Sequence, residues 1–93
     1  MDLMEETVPY IESISNKSRI RIFSESVNDD ELKWHVDQED RIVKILESNN
    51  WYLQMDNQLP KELISGQTYE IPKETYHRVI KGNGNLKVEI TFK

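Results

Sequence analysis

From Arg19 onward, hydrophobic and polar residues alternate with a period of two. In Arg19-Ile20-Arg21-Ile22-Phe23, Ile20 and Ile22 share one face. Leu32, Trp34 and Val36 share a face opposite Lys33, His35 and Asp37, and residues 41–47 are rich in β-branched side chains (Ile42, Val43, Ile45). Trp51, Leu53 and Met55 alternate against Tyr52 and Gln54, and Leu86, Val88, Ile90 and Phe92 form the cleanest stripe, opposite Lys87, Glu89 and Thr91. Strand-length runs at such short spacing predict an all-β antiparallel sandwich or barrel. Its expected core is Ile20, Ile22, Trp34, Ile42, Leu53, Val79, Val88 and Ile90. Turn chemistry punctuates the runs. Ser48-Asn49-Asn50 suits a tight hairpin, since Asn tolerates positive φ, and Gly66-Gln67 and Gly82-Asn83-Gly84-Asn85 supply further turns.

Residues 1–16 follow another rhythm. Leu3, Met4, Val8, Ile11 and Ile14 recur at spacings near three and four, the mark of a short amphipathic helix, which Pro9 interrupts. The expectation is an arm, helical in part, with a disordered terminus as its alternative, followed by a single domain over residues 19–93.

The chain has 93 residues, 12 of them basic and 17 acidic, a net charge of -5 and no cysteine. That length suits one small domain, which buries only about 60–65% of the surface it exposes when unfolded. Without cysteine there is no disulfide framework, thiolate nucleophile or Cys-ligated metal. The acidic balance argues against nucleic acid and against anionic membranes as partners. No apolar run approaches the roughly 18 residues of a membrane span. Residues 1–12 lack the basic start and apolar stretch of a signal peptide, so cytoplasmic residence is expected.

Only two histidines are present, His35 and His77. Asp37 follows His35 by two, so in a strand both project from one face, about 6.5–7 Å apart. A second histidine from a facing strand would complete two His and one carboxylate. That donor set, with open coordination positions, suits non-haem Fe(II). The plain alternative is two ordinary polar strand residues. The acidic groups Asp29-Asp30-Glu31 and Glu39-Asp40 do not fit a calcium loop and read as solvated.

Two stretches resemble the cupin motifs. His35-Val-Asp37-Gln-Glu-Asp-Arg41-Ile-Val-Lys-Ile-Leu-Glu47-Ser48 is similar to the first, and Gly66-Gln-Thr-Tyr-Glu-Ile-Pro72-Lys-Glu-Thr-Tyr-His77 to the second, with Gly66, Pro72 and His77 in register. The likeness spans residues 30–92 and extends to small single-domain (RmlC-like) cupins of phages. It implies a small jelly-roll barrel, often dimeric, with a divalent metal (Fe, Mn, Ni or Zn) held by motif histidines and a glutamate. Several positions depart from the pattern. Asp37 stands for the second histidine, Arg41 for the glutamate, and Ser48, Glu74 and Lys81 for Gly, Gly and Asn. His35, Asp37 and His77 survive as a three-ligand remnant. Arg41 cannot ligate and repels a metal if it points inward. Its pairing with Asp37 requires a bend at residues 38–40, and Glu39 or Asp40 offers another partner.

Three functions follow from these residues. The first is a metal cupin acting on a small molecule as dioxygenase, isomerase or lyase, with Tyr52, Tyr76 and Glu39 as acid–base candidates. A 2-oxoglutarate oxygenase is a variant, in which Lys87 would anchor the co-substrate. The second is a pocket for a small anionic or sugar-like ligand, anchored by Arg41 with His35, His77 and Tyr or Trp side chains around it, Tyr52, Gln54 and Tyr76 being the further ligand-binding candidates. The third is a homodimeric accessory or assembly protein that has lost the metal.

Overall fold

In a computed structural model, residues 8–15 and 17–93 are described. The described residues form eight antiparallel strands: β1 (Ile11–Ile14), β2 (Ser18–Phe23), β3 (Arg41–Glu47), β4 (Tyr52–Met55), β5 (Lys61–Glu62), β6 (Thr68–Ile71), β7 (His77–Ile80) and β8 (Leu86–Phe92). One sheet has the order β1-β2-β8-β3-β6, the other β5-β4-β7. The inner faces of the two sheets meet in a core of Phe23, Val43, Ile45, Trp51, Leu53, Leu63, Ile71, Leu86, Val88 and Ile90, with Val27 beside it.

The β8 stripe points inward as its alternation predicts, and it fixes the faces of its neighbours. Antiparallel partners share a face. Arg19 pairs with Ile90, Arg21 with Val88 and Phe23 with Leu86, so the inner face of β2 is Arg19, Arg21 and Phe23. Ile20 and Ile22, expected in the core, are half-buried on the outer face. On β3, Val43 pairs with Ile90 and Ile45 with Val88, so Ile42 faces outward and Arg41, opposite Phe92, faces inward. A one-residue difference in parity exchanges the two faces of a strand. Within 19–23 and 41–47 both parities carry apolar residues, and pairing with β8 decides between them. Leu53, Val88 and Ile90 are buried as expected, and Val79 is half-buried against the core.

Two segments differ more. The helical rhythm of residues 1–16 does not produce a helix at 11–14. Ile11–Ile14 forms strand β1 against β2, with Ile11 paired to Ile22. Pro9 interrupts the helical rhythm of residues 1–16, and the open edge of β2 supplies hydrogen-bond partners for residues 11–14. Leu3 and Met4 lie outside the described residues. The stretch expected as a strand through Leu32, Trp34 and Val36 is instead a loop that follows a 3-10 turn (Asp29–Glu31), and within it only His35 pairs as a strand residue does, in a bridge to His77. Trp34 is 41% exposed. Its ring receives the Arg78 guanidinium at 4.9 Å, a surface contact in place of core packing.

The predicted turns hold. Asn50 has φ 60° and Gly66 φ 89°. Gly82 serves close approach: a Cβ there would lie 2.3 Å from the Asn49 carbonyl oxygen. No helix among the described residues is long and apolar enough to cross a membrane.

Candidate metal centre

His35 and His77 exchange both backbone hydrogen bonds, each N to the other's O at 3.0 Å. A hydrogen-bonded antiparallel pair holds its Cα atoms about 5.5 Å apart with side chains on one side, so this bridge brings the imidazoles together, ring centroids 4.3 Å apart. The loop carrying Asp37 is fastened at further points. Its backbone oxygen accepts from Glu74 N at 2.8 Å, and the Asp40 carboxylate accepts from Lys73 N at 2.8 Å. The chain bends at residues 38 and 39. That is the bend the sequence requires for Arg41 to approach Asp37.

His35, Asp37 and His77 each offer a ligand atom within 4.8 Å of the others. Both histidines are oriented the same way. His35 Nδ1 lies 2.8 Å from the Lys33 oxygen and His77 Nδ1 2.8 Å from the Thr75 oxygen. A carbonyl only accepts, so Nδ1 carries a proton, and in the neutral ring Nε2 presents its lone pair. Both lone pairs face Asp37, with His77 Nε2 3.2 Å from Oδ2 and His35 Nε2 4.0 Å from Oδ1. The His77 contact lacks hydrogen-bond alignment, and Asp37 Oδ2 is buried without a partner. With both rings neutral, three acceptors converge with no hydrogen between them, a cost that a proton or a metal ion removes. Ligand atoms at 2.0–2.2 Å from one ion lie about 3 Å apart at right angles, so small inward shifts would close this set. Nδ1–H donation to a carbonyl is also the usual support of a metal-binding imidazole.

Burial alone raises the Asp37 carboxyl. His77, the Arg41 guanidinium and His35 outweigh it, and the group titrates below the ordinary carboxylate range. Of these, only Arg41 is a permanent charge. His77 favours the carboxylate when a cation sits on Nε2. Asp37 is thus an anion at neutral pH. The stability it gains from these neighbours is present above its unfolded value and is lost as pH falls through the lower folded one.

Arg41 points inward and is 13% exposed, with Nη2 3.1 Å from Glu39 Oε1 and 3.5 Å from Asp37 Oδ1 and its guanidinium over Phe92 at 5.3 Å. Glu39 is the partner the sequence offers. Asp40 instead receives Lys73 N.

The three ligand candidates and Arg41 line a cavity of about 420 Å³. Tyr52, Gln54 and Tyr76 do not line it. Leu53 faces the cavity, so its strand neighbours Tyr52 and Gln54 face away, and Gln54 is occupied by Arg78 and the Gln58 oxygen. Tyr76 is exposed. Lys87 pairs with the outward Ile22 and is not in the lining either, which removes the anchor of the 2-oxoglutarate reading. Arg21, Glu31 and Lys33 line the cavity, and the sequence reading did not select them. For Arg21 the signal was Phe23, which shares its parity.

Glu74 stands where the resembled motif has glycine, and its φ is 58°. A non-glycine residue in that region costs about 1–2 kcal/mol, while glycine costs part of that back in unfolded-chain entropy. Glu74→Gly is therefore expected to stabilise by about 0.5–1 kcal/mol, read as a melting temperature higher by roughly 2–8 °C. The backbone bond from residue 74 to Asp37 is retained. An unchanged or lower melting temperature would contradict the strain.

No family model matches the sequence, and no curated protein matches it. Solved structures do. An RmlC-like cupin family protein with a double-stranded β-helix fold from Methanocaldococcus jannaschii superposes on 99% of this chain and 84% of its own, with TM-score 0.70 and 10% identity. The fold is a cupin barrel. Two neighbours of this barrel are enzymes of greater length. The DMSP lyase DddQ from Ruegeria pomeroyi has TM-score 0.69 and 14% identity over 85% of this chain and 39% of its own. FeII HppE has TM-score 0.62 and 18% identity over 82% of this chain and 41% of its own. The cupin barrel thus spans about two fifths of each.

Proposed function

We propose that this cupin barrel binds one divalent metal ion through His35 Nε2, the Asp37 carboxylate and His77 Nε2, and acts on a small molecule held in the adjoining cavity. The observation that carries the reading is the convergence of three acceptor atoms, one of them a buried carboxylate oxygen without a partner. Two imidazoles and one carboxylate suit Fe(II) first, and also Mn(II), Ni(II) and Zn(II). The neighbour described as FeII HppE supports iron, and the lyase neighbour supports a small-molecule substrate. When bound, the ion would act as a Lewis acid toward a substrate oxygen. The protein supplies the rest. His77 is buried at 3% exposure while His35 is exposed, so one side of the site is sealed and the other open. The apolar residues Leu53, Ile71 and Val88 line the cavity's interior.

Mass-spectrometric metal analysis of protein purified without a histidine tag tests this reading. About one divalent metal per chain is expected, removable by chelator and restored by Fe(II). Acidification should release it, since only neutral imidazole ligates. Protein that stays metal-free after incubation with each of the four ions would refute it.

A further inference from the structure

The chain carries a net charge of -5, yet the cavity wall holds three permanent cations, Arg21, Lys33 and Arg41, against the carboxylates of Glu31 and Asp37. Arg21 is satisfied: it pairs with Glu12 and stacks on Tyr10 at 4.2 Å. Arg41 is not. Its Nη2 is held by Glu39 and Asp37 and its guanidinium lies over Phe92, while its Nε is buried without a hydrogen-bond partner. A fixed guanidinium with an unmet buried donor is a preformed seat for an anion. Carboxylates on the same wall make a dianion such as phosphate a poor fit and a single negative charge a good one. Away from this end the cavity is apolar, with Leu53, Leu63 and Ile71 buried and Val79 half-buried along it. Its volume of about 420 Å³ is within the roughly 300–1,000 Å³ of small-molecule sites.

We infer that the cavity takes a small amphipathic monocarboxylate, its head group on Arg41 beside His35, Asp37 and His77, and its apolar body along Leu53, Leu63, Ile71 and Val79. The inference deepens the proposed function by naming its ligand class, and it rests on that reading only for placing a metal beside the head group. The Arg41 contact itself requires no metal.

Calorimetric titration of the full chain with hexanoate, hexan-1-ol and acetate, in metal-free and Zn(II)-treated protein, tests the inference. Hexanoate is expected to bind at least tenfold more tightly than hexan-1-ol, which lacks the charge, and than acetate, which lacks the body. Arg41→Met should weaken hexanoate at least tenfold and leave hexan-1-ol unchanged. Equal binding of hexanoate and hexan-1-ol, hexanoate binding indifferent to Arg41→Met, or no hexanoate binding would overturn it. The wild-type comparison of the three probes decides the matter even if the variant fails to fold. Failure of the metal reading is separable. Protein that takes up no Zn(II) but selects hexanoate retains the carboxylate site, whereas protein that takes up Zn(II) and shows no preference for hexanoate has a metal site without it.

Discussion

Trp51→Ala is expected to remove a large part of the chain's folding stability. Trp51 has no exposed surface, packs against Phe23 at a ring distance of 6.2 Å, and directs Nε1–H to the Asn83 and Gly84 carbonyls at 3.3 Å each. It therefore ties the 48–51 turn to the 82–84 turn through the core. Truncating a buried Trp costs about 3–5 kcal/mol, and a domain of this size has only about 5–14 kcal/mol in total. Urea denaturation should show the loss, and Trp51→Phe, which keeps a ring and loses the N–H, should cost less. Trp34→Ala is the control. Its side chain lies at the surface over Arg78, so a loss below about 1 kcal/mol is expected. A large loss at Trp34 with a small one at Trp51 would contradict the packing.

Asp37→Asn should abolish metal uptake and leave the metal-free protein folded, although the stability that the Asp37 carboxylate gains from Arg41 is lost. The change removes the charged ligand, and the effect should exceed the roughly 10–100-fold that losing a ligand's outer support costs. At the same time the Asn amide can donate to His77 Nε2, supplying the hydrogen that the three converging acceptors lack. Arg41 keeps Glu39. His77→Ala should also abolish uptake, with a lower melting temperature, because His77 is buried and its backbone bridge alone remains. Arg41→Glu separates two accounts of the inward arginine. If wild type and Arg41→Glu both bind metal, the Arg41 charge is contained by Glu39 and Asp37. Metal binding only in Arg41→Glu would mean that the natural arginine excludes the ion. Calorimetry with Fe(II), Mn(II), Ni(II) and Zn(II) reads all four proteins.

The sequence is most legible where a single pattern leaves no choice. In residues 86–92 only one parity is apolar, and that stripe became the inner face of β8. In residues 19–23 both parities carry a large apolar residue, and hydropathy favoured Ile20 and Ile22. The pairing of Arg21 with Val88 reversed that choice, a non-local fact that no local pattern contains. The His35, Asp37 and His77 grouping was legible from the motif register, but not the device that assembles it. The expected strand around His35 is a loop with a single bridge, and the shared donation from both Nδ1 atoms depends on carbonyls two residues back. Tyr52, Gln54 and Tyr76 were chosen by residue type, and the parity of Leu53 places the first two outside the cavity. Glu74 shows the reverse case. The departure from glycine was visible in the sequence, and the structure shows its cost as a positive φ.

The most direct measurement is an anomalous difference map from crystals of the full chain loaded with Zn(II), recorded on both sides of the metal's absorption edge. One peak per chain is predicted, about 2.0–2.2 Å from His35 Nε2, an Asp37 oxygen and His77 Nε2, with Arg41 still turned toward Glu39. A map without a peak among these three side chains, or with peaks only elsewhere on the surface, would contradict the assignment.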